Sequence, residues 1–232
     1  MNNYNSVKYV SVTEQNKFLS RVYGWMAFAL LLSGLTAYGT AVYAANNIHA
    51  FMAFFKGGFF AAAIAELVIV FYISARISKI SPAKAKAAFI IYSILNGFNL
   101  STIFFAYQIT SIANIFGISA GMFLLMAIYG SKTKSDLSSY RKFFSMAILG
   151  IIIATLVNFL LRSTGMSLVI SIAAVVLFSG LTAYDAQKML FISRQATDDE
   201  MFKKAAIIGA LSLYLDFINI FLHLLRIFGN RK

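Results

Sequence analysis

Three carboxylates fall inside long apolar runs: Glu66, Asp185 and Asp216. The other five acids, Glu14, Asp136, Asp198, Asp199 and Glu200, fall in terminal or connecting segments. A carboxylate within a hydrocarbon layer is costly and by default marks a functional position. The plainer alternative is a protonated or hydrogen-bonded acid that only joins helices. Asp185 sits in AYDAQKM and Asp216 in LYLDFINIF, on successive apolar runs linked by residues 190–204. Helices joined in this way lie side by side and antiparallel, so the two aspartates can reach similar depths. Two close carboxylates in a low dielectric do not both ionise easily, and such a pair shares a proton at low pH. When ionised, it offers oxygen ligands suited to Ca²⁺. The chemistry within reach is proton sensing and cation binding.

Further polar residues surround these acids. At about 100° per residue, Asp216, Asn219, His223 and Arg226 fall within an arc of about 80°, with Ser212 on the same arc. The other positions of 205–228 are Leu, Ile, Phe, Tyr and Ala, a lipid-like coat. The polar stripe is therefore expected to face protein or water, which makes this the inner helix of a bundle. Ser212, Asp216, Asn219 and His223 should point inward, with Leu213, Phe217, Phe221 and Leu224 spread over the other faces. Arg76 follows Glu66 by ten residues and is either a snorkelling anchor or a partner for Asp185. Asn96 and Asn99 in NGFNLS are expected to make interhelical hydrogen bonds. His223 titrates in the physiological range unless a neighbour holds it. The acidic run 198–200 is expected in a solvated loop.

Enzyme signatures are missing. The chain has no HExxH, no GxSxG and no Gly-rich phosphate loop. It has no cysteine, which excludes disulfides and thiolate metal sites. No enzymatic activity and no cofactor are expected.

The elements that must position these residues are membrane helices. Hydrophobic residues make up 60% of the 232 residues and charged residues 12%, against about 25% charged in a soluble domain. Seven apolar runs, 22–44, 59–75, 87–107, 112–130, 143–161, 166–189 and 205–228, are each near the roughly 20 residues that span the hydrocarbon core. The shortest, 59–75, is expected to borrow Gly57 and Gly58 or Arg76. None alternates as a barrel strand would. Pro82 is the single proline and is expected in a loop, leaving every helix free of a proline kink. The run 22–44 ends in AVYA, which resembles a signal-peptide cleavage site, but is too long for the apolar core of one. Residues 1–21 read as a polar, partly ordered cytoplasmic tail, and 22–232 as one transmembrane domain.

The net charge of +12 resides in short connections, which fits anionic lipid better than nucleic acid. Fifteen basic residues fall on the side of the N-terminus and five on the other. The bias places the N-terminus in the cytoplasm, and seven crossings then put the C-terminus outside. The terminal Arg226, Arg231 and Lys232 favour the alternative of a last segment that re-enters without crossing. The opposite senses of spans one to three and four to six permit an inverted repeat.

AYDAQKM, LYLDFINIFLHLLRIFG and the NGFNLS stretch together resemble the Bax inhibitor-1 (transmembrane Bax inhibitor motif) family in its bacterial form. The resemblance covers nearly the whole chain. It implies an all-α membrane protein, a bundle of seven helices with six wrapped around a central last one. It also implies a pH-sensitive calcium leak channel gated by an aspartate pair, here Asp185 and Asp216, which would also be the Ca²⁺ contacts. Arg76 is the nearest match to an arginine latch on the sixth-span aspartate. Glu66, Ser212, Asn219 and His223 would line the polar path. Some bacterial relatives are linked to a membrane-bound ATP-dependent protease. The alternative function is therefore regulation of such a protease or of a stress response without transport. The expected location is a bacterial inner membrane, with lipid and calcium ions as partners and no nucleic acid.

Overall fold

The structure, a computed structural model, describes residues 11–76, 79–195 and 199–232. The helices are α1 (Val12–Asn46), α2 (Ile48–Ala53), α3 (Phe59–Arg76), α4 (Pro82–Leu100), α5 (Ile103–Ala106), α6 (Ile109–Lys132), α7 (Arg141–Leu161), α8 (Thr164–Gln195) and α9 (Asp199–Phe228). A π-helical turn, Phe54–Gly58, leads into α3, and a 3₁₀ turn, Leu137–Tyr140, into α7. Seven helical segments are long and apolar enough to cross a membrane: α1, α2 through α3, α4 with α5, α6, α7, α8 and α9. Among the described residues there is no strand, only an isolated bridge between Tyr107 and Arg231.

Local chemistry sets the helix starts. Ser11 Oγ accepts from the Glu14 N–H (3.2 Å) and Glu14 Oε2 accepts from the Ser11 N–H (3.3 Å), a capping box that opens α1. This corrects the boundary of the tail. Residues 12–21 are helical and continue the first span beyond its apolar stretch, with Phe18 buried edge-on against Phe202 at 5.2 Å. Residues 1–10 of the expected tail lie outside the described residues. Pro82 is also corrected: it stands at the first position of α4 behind the Ser81 cap, not in a loop. A proline there loses no hydrogen bond, because that N–H has no intrahelical partner. α3 gains Arg76 at its end, as the shortness of its apolar run required.

The last helix is central. It packs against α1, α4, α6 and α8. Two thirds of its apolar stretch is buried, whereas α7 has no buried residue. α3 packs chiefly on α4, and α7 on α8, at the flanks. The lipid-like coat expected for 205–228 is thus a coat against protein. Leu213, Phe217, Phe221 and Leu224 are all buried, while Ser212, Asn219 and His223 are only half-buried. Apolar side chains face helices as readily as lipid when neighbours surround the whole circumference.

Small residues let the helices approach. α1 buries Ala29, Ser33, Ala37, Ala41 and Ala44 along one side. A Cβ at Gly97 would collide with the α1 backbone at Ser33, and one at Gly130 with the α8 backbone at Ala183. Buried hydroxyls bond their own helices. Ser93, Ser119, Ser179 and Thr182 donate to the carbonyls of Phe89, Ile115, Val175 and Phe178 at 2.6–2.8 Å, so they add no unsatisfied group to the interior.

The C-terminus is tied to the connection between α5 and α6. The Gln108 N–H donates to Asn230 O (3.0 Å), the Lys232 N–H to Ala106 O (3.1 Å), and the Asn230 N–H to Ser111 Oγ (3.0 Å). This connection lies at the bundle end opposite the α8–α9 hairpin. α9 is one unbroken helix of 30 residues, about 45 Å long at 1.5 Å per residue. This geometry fits a full crossing better than the re-entrant alternative, since re-entry would return the C-terminus to the hairpin end.

Candidate functional site

The α8–α9 hairpin brings Asp185 and Asp216 together. Asp185 is 8% exposed and Asp216 5%. They are close enough that Asp216 feels the charge of Asp185, which in turn feels that of Lys188, three residues further along α8. Among the described residues no N–H or hydroxyl donates to either carboxylate, and Asp216 Oδ2 is buried with no partner. A buried carboxylate without donors is held by no fixed dipole. It has to be met by a proton, a cation or water. Among the described residues no group of three or more acids or histidines surrounds the pair. Its four oxygens fall short of the six to eight that Ca²⁺ takes. A cation held there would have to keep part of its water.

Glu66 has the opposite environment. It is half-buried on α3, and both its oxygens are engaged from α4, by Asn96 Nδ2 at 3.1 Å and Asn99 Nδ2 at 2.7 Å. The network runs inward from there. Tyr214 OH, on α9, donates to Asn96 Oδ1 at 2.8 Å and meets Ser33 Oγ of α1 at 2.7 Å, and Ser33 Oγ donates to Ser93 O at 2.7 Å. Four helices, α1, α3, α4 and α9, meet in this network. Phe89 and Tyr92 pack edge-on against the Tyr214 ring, both at 5.8 Å. The interhelical role expected of the asparagines is what they perform.

The remaining candidates are placed as follows. Arg76 is exposed at the end of α3, and no ion pair joins it to Asp185 among the described residues. Asn219 Nδ2 donates to Leu215 O of its own helix at 2.8 Å. His223 is half-buried, feels the charge of Arg226, and its Nδ1 has no partner among the described residues. Ser212 is half-buried. Asp198 lies outside the described residues, whereas Asp199 and Glu200 belong to the first turn of α9. Tyr214, Ser33 and Ser93 were not singled out in the sequence. Tyr214 stands two residues before Asp216 in the LYLD motif, which was the one available hint.

Comparison with known proteins identifies the family. The family model described as "Inhibitor of apoptosis-promoting Bax1" matches residues 15–232. The Escherichia coli K12 "Inner membrane protein YbhL" is 43% identical over 219 residues, 93% of this chain and 92% of that protein. An uncharacterized protein of Borreliella burgdorferi is also 43% identical, over 94% of each chain. One of Deinococcus radiodurans is 38% identical over 98% of each. With a family match across nearly its whole length and seven helices fit to cross a membrane, the chain is a member of the Bax inhibitor-1 family of membrane proteins.

Proposed function

We propose that this protein is a pH-sensitive leak channel for cations, with calcium as the ion, gated by Asp185 and Asp216. The observation that carries the reading is the donor-free carboxylate pair between α8 and α9, with Asp216 Oδ2 unpartnered. At low pH the pair shares a proton and α8 and α9 stay closed on each other. Raising the pH removes that proton. Two adjacent charges then separate, bind a cation or recruit a positive partner, and each outcome shifts α8 against α9. Since α9 packs on four helices, such a shift is felt through the bundle. In this reading Arg76 pairs with Asp185 only in another packing of α3. The N-terminus lies in the cytoplasm by the charge bias, and the membrane is the bacterial inner membrane, as the name of the E. coli relative suggests.

The test is calcium-dye flux in proteoliposomes across a pH series. The unmodified protein leaks in a pH-dependent way, and Asp185→Asn and Asp216→Asn each flatten that dependence. Asn219→Ala leaves it in place, because the amide does not titrate. Flux that is absent at every pH would instead favour a non-transporting regulator of a membrane-bound protease or stress response.

A further inference from the structure

We propose that the bundle end carrying the α8–α9 hairpin holds a binding pocket for a phosphate group, formed where α6 and α8 meet the connection before α7. The cavity measures about 480 Å³, and Lys134, Lys188 and Arg194 line it. All three are exposed, and none has an ion pair among the described residues. Ser131 and Thr133 add hydroxyls to the same wall.

Snorkelling explains why cations gather at a membrane surface, but it does not explain a concave wall. This wall is built. Gln187 of α8 holds the connection in place, with Oε1 accepting from the Leu137 N–H (2.9 Å) and Nε2 donating to Ser135 O (2.8 Å). Among the described residues the single acid lining the pocket, Asp136, is turned to a structural task. The Ser138 hydroxyl and backbone N–H hold its carboxyl below the usual carboxylate range, the N–H at 2.9 Å from Oδ1. Three cations against one engaged acid leave a net positive cavity at the level of the headgroups. Basic pockets between helices at this level suit phosphate-bearing headgroups. Leu190 and the exposed ring of Phe191 form an apolar lip on the same cavity, where the glycerol and upper acyl chain of a lipid would lie. Phosphate is the chemistry that a lipid headgroup and a soluble phosphate share.

The experiment uses the full chain in phosphatidylcholine nanodiscs or detergent. One arm titrates phosphatidylglycerol and reads bound lipid by native mass spectrometry. The other titrates inorganic phosphate and reads binding by equilibrium dialysis. Binding in the first arm alone identifies a lipid headgroup, and binding in the second identifies a free phosphate. The triple variant K134Q/K188Q/R194Q should weaken the binding by at least about tenfold, since each cation near the surface contributes severalfold. K79Q/K84Q/K142Q removes equal charge at the same bundle end outside the cavity, and should change it less than about twofold. Single Lys134→Gln, in the connection, gives the same direction should the triple variant fail to fold. Absence of binding in both arms, or equal losses in the two triple variants, would overturn the pocket and leave only a diffuse basic surface.

Discussion

Glu66 and the Asp185–Asp216 pair are both carboxylate sites within the spans, and they are built in opposite ways. Glu66 meets two amide N–H groups, and behind them a chain of hydroxyls reaching Ser33 and Tyr214. Asp216 feels the charge of Asp185, Asp185 feels that of Lys188, and among the described residues no donor reaches either carboxylate. The difference teaches where a titration can move the fold. A carboxylate engaged by fixed amide donors already has its partners in place. A carboxylate that no donor holds must exchange a proton or an ion to change state. Glu66 accordingly joins helices, and in the proposed function the pair is the element that switches.

The largest effect expected is on stability at Glu66. Glu66→Ala strips two amide donors of their acceptor and should cost about 2–4 kcal/mol, the lower part of twice the roughly 1–3 kcal/mol per unsatisfied buried group, because Asn96 and Asn99 are half-buried. Denaturant or thermal unfolding in detergent measures it. A cost near zero would mean that the amides find water, and the contrast between the two sites would weaken.

Asn99→Asp would sharpen the comparison by building a second carboxylate pair. The new acid faces Glu66 Oε1, which Asn99 now serves at 2.7 Å. Stability should become pH-dependent with a definite sign. At low pH one carboxyl is protonated and bridges to the other, and as pH rises both ionise and repel, so stability falls. Stability that rises with pH instead would contradict the reading.

Tyr214→Phe removes the hydroxyl between Asn96 and Ser33 while keeping the ring against Phe89 and Tyr92. The loss should be about 1–2 kcal/mol, with no change in pH dependence. Asp216→Asn should change stability least, by less than about 1 kcal/mol, because no donor loses a partner and a like-charge contact disappears. If Asp216→Asn destabilised as much as Glu66→Ala, the pair would be a packing device as well.

Much of this arrangement is legible in the chain alone. The seven crossings follow from run length, and the neighbourhood of Asp185 and Asp216 from a short hairpin between two helices. The bonds from Asn96 and Asn99 follow from amides in an apolar span. The capping box at Ser11 and Glu14 was also there to be read, and it extends α1 past its apolar stretch. Other features rest on tertiary contacts. Apolar residues look alike whether they face lipid or protein, so α7, with no buried residue, and α9, buried on most sides, have similarly apolar sequences. The tie from Asn230 and Lys232 to the α5–α6 connection uses backbone groups and leaves no signature in residue types. Which acids find donors depends on the register between helices: Asn96 and Asn99 reach Glu66, whereas Asn219 turns to its own backbone.

The central claim is that the switch resides in the donor-free pair and not in the amide-held glutamate. Its most direct test is calcium flux in proteoliposomes from pH 5 to pH 8 for the unmodified protein, Asp185→Asn, Asp216→Asn and Glu66→Gln, compared side by side. Glu66→Gln keeps the side-chain shape and one acceptor for the asparagines. The account predicts that both aspartate variants lose the pH dependence while Glu66→Gln retains it. Aspartate variants that conduct with the unmodified pH profile, or a profile flattened only by Glu66→Gln, would contradict it.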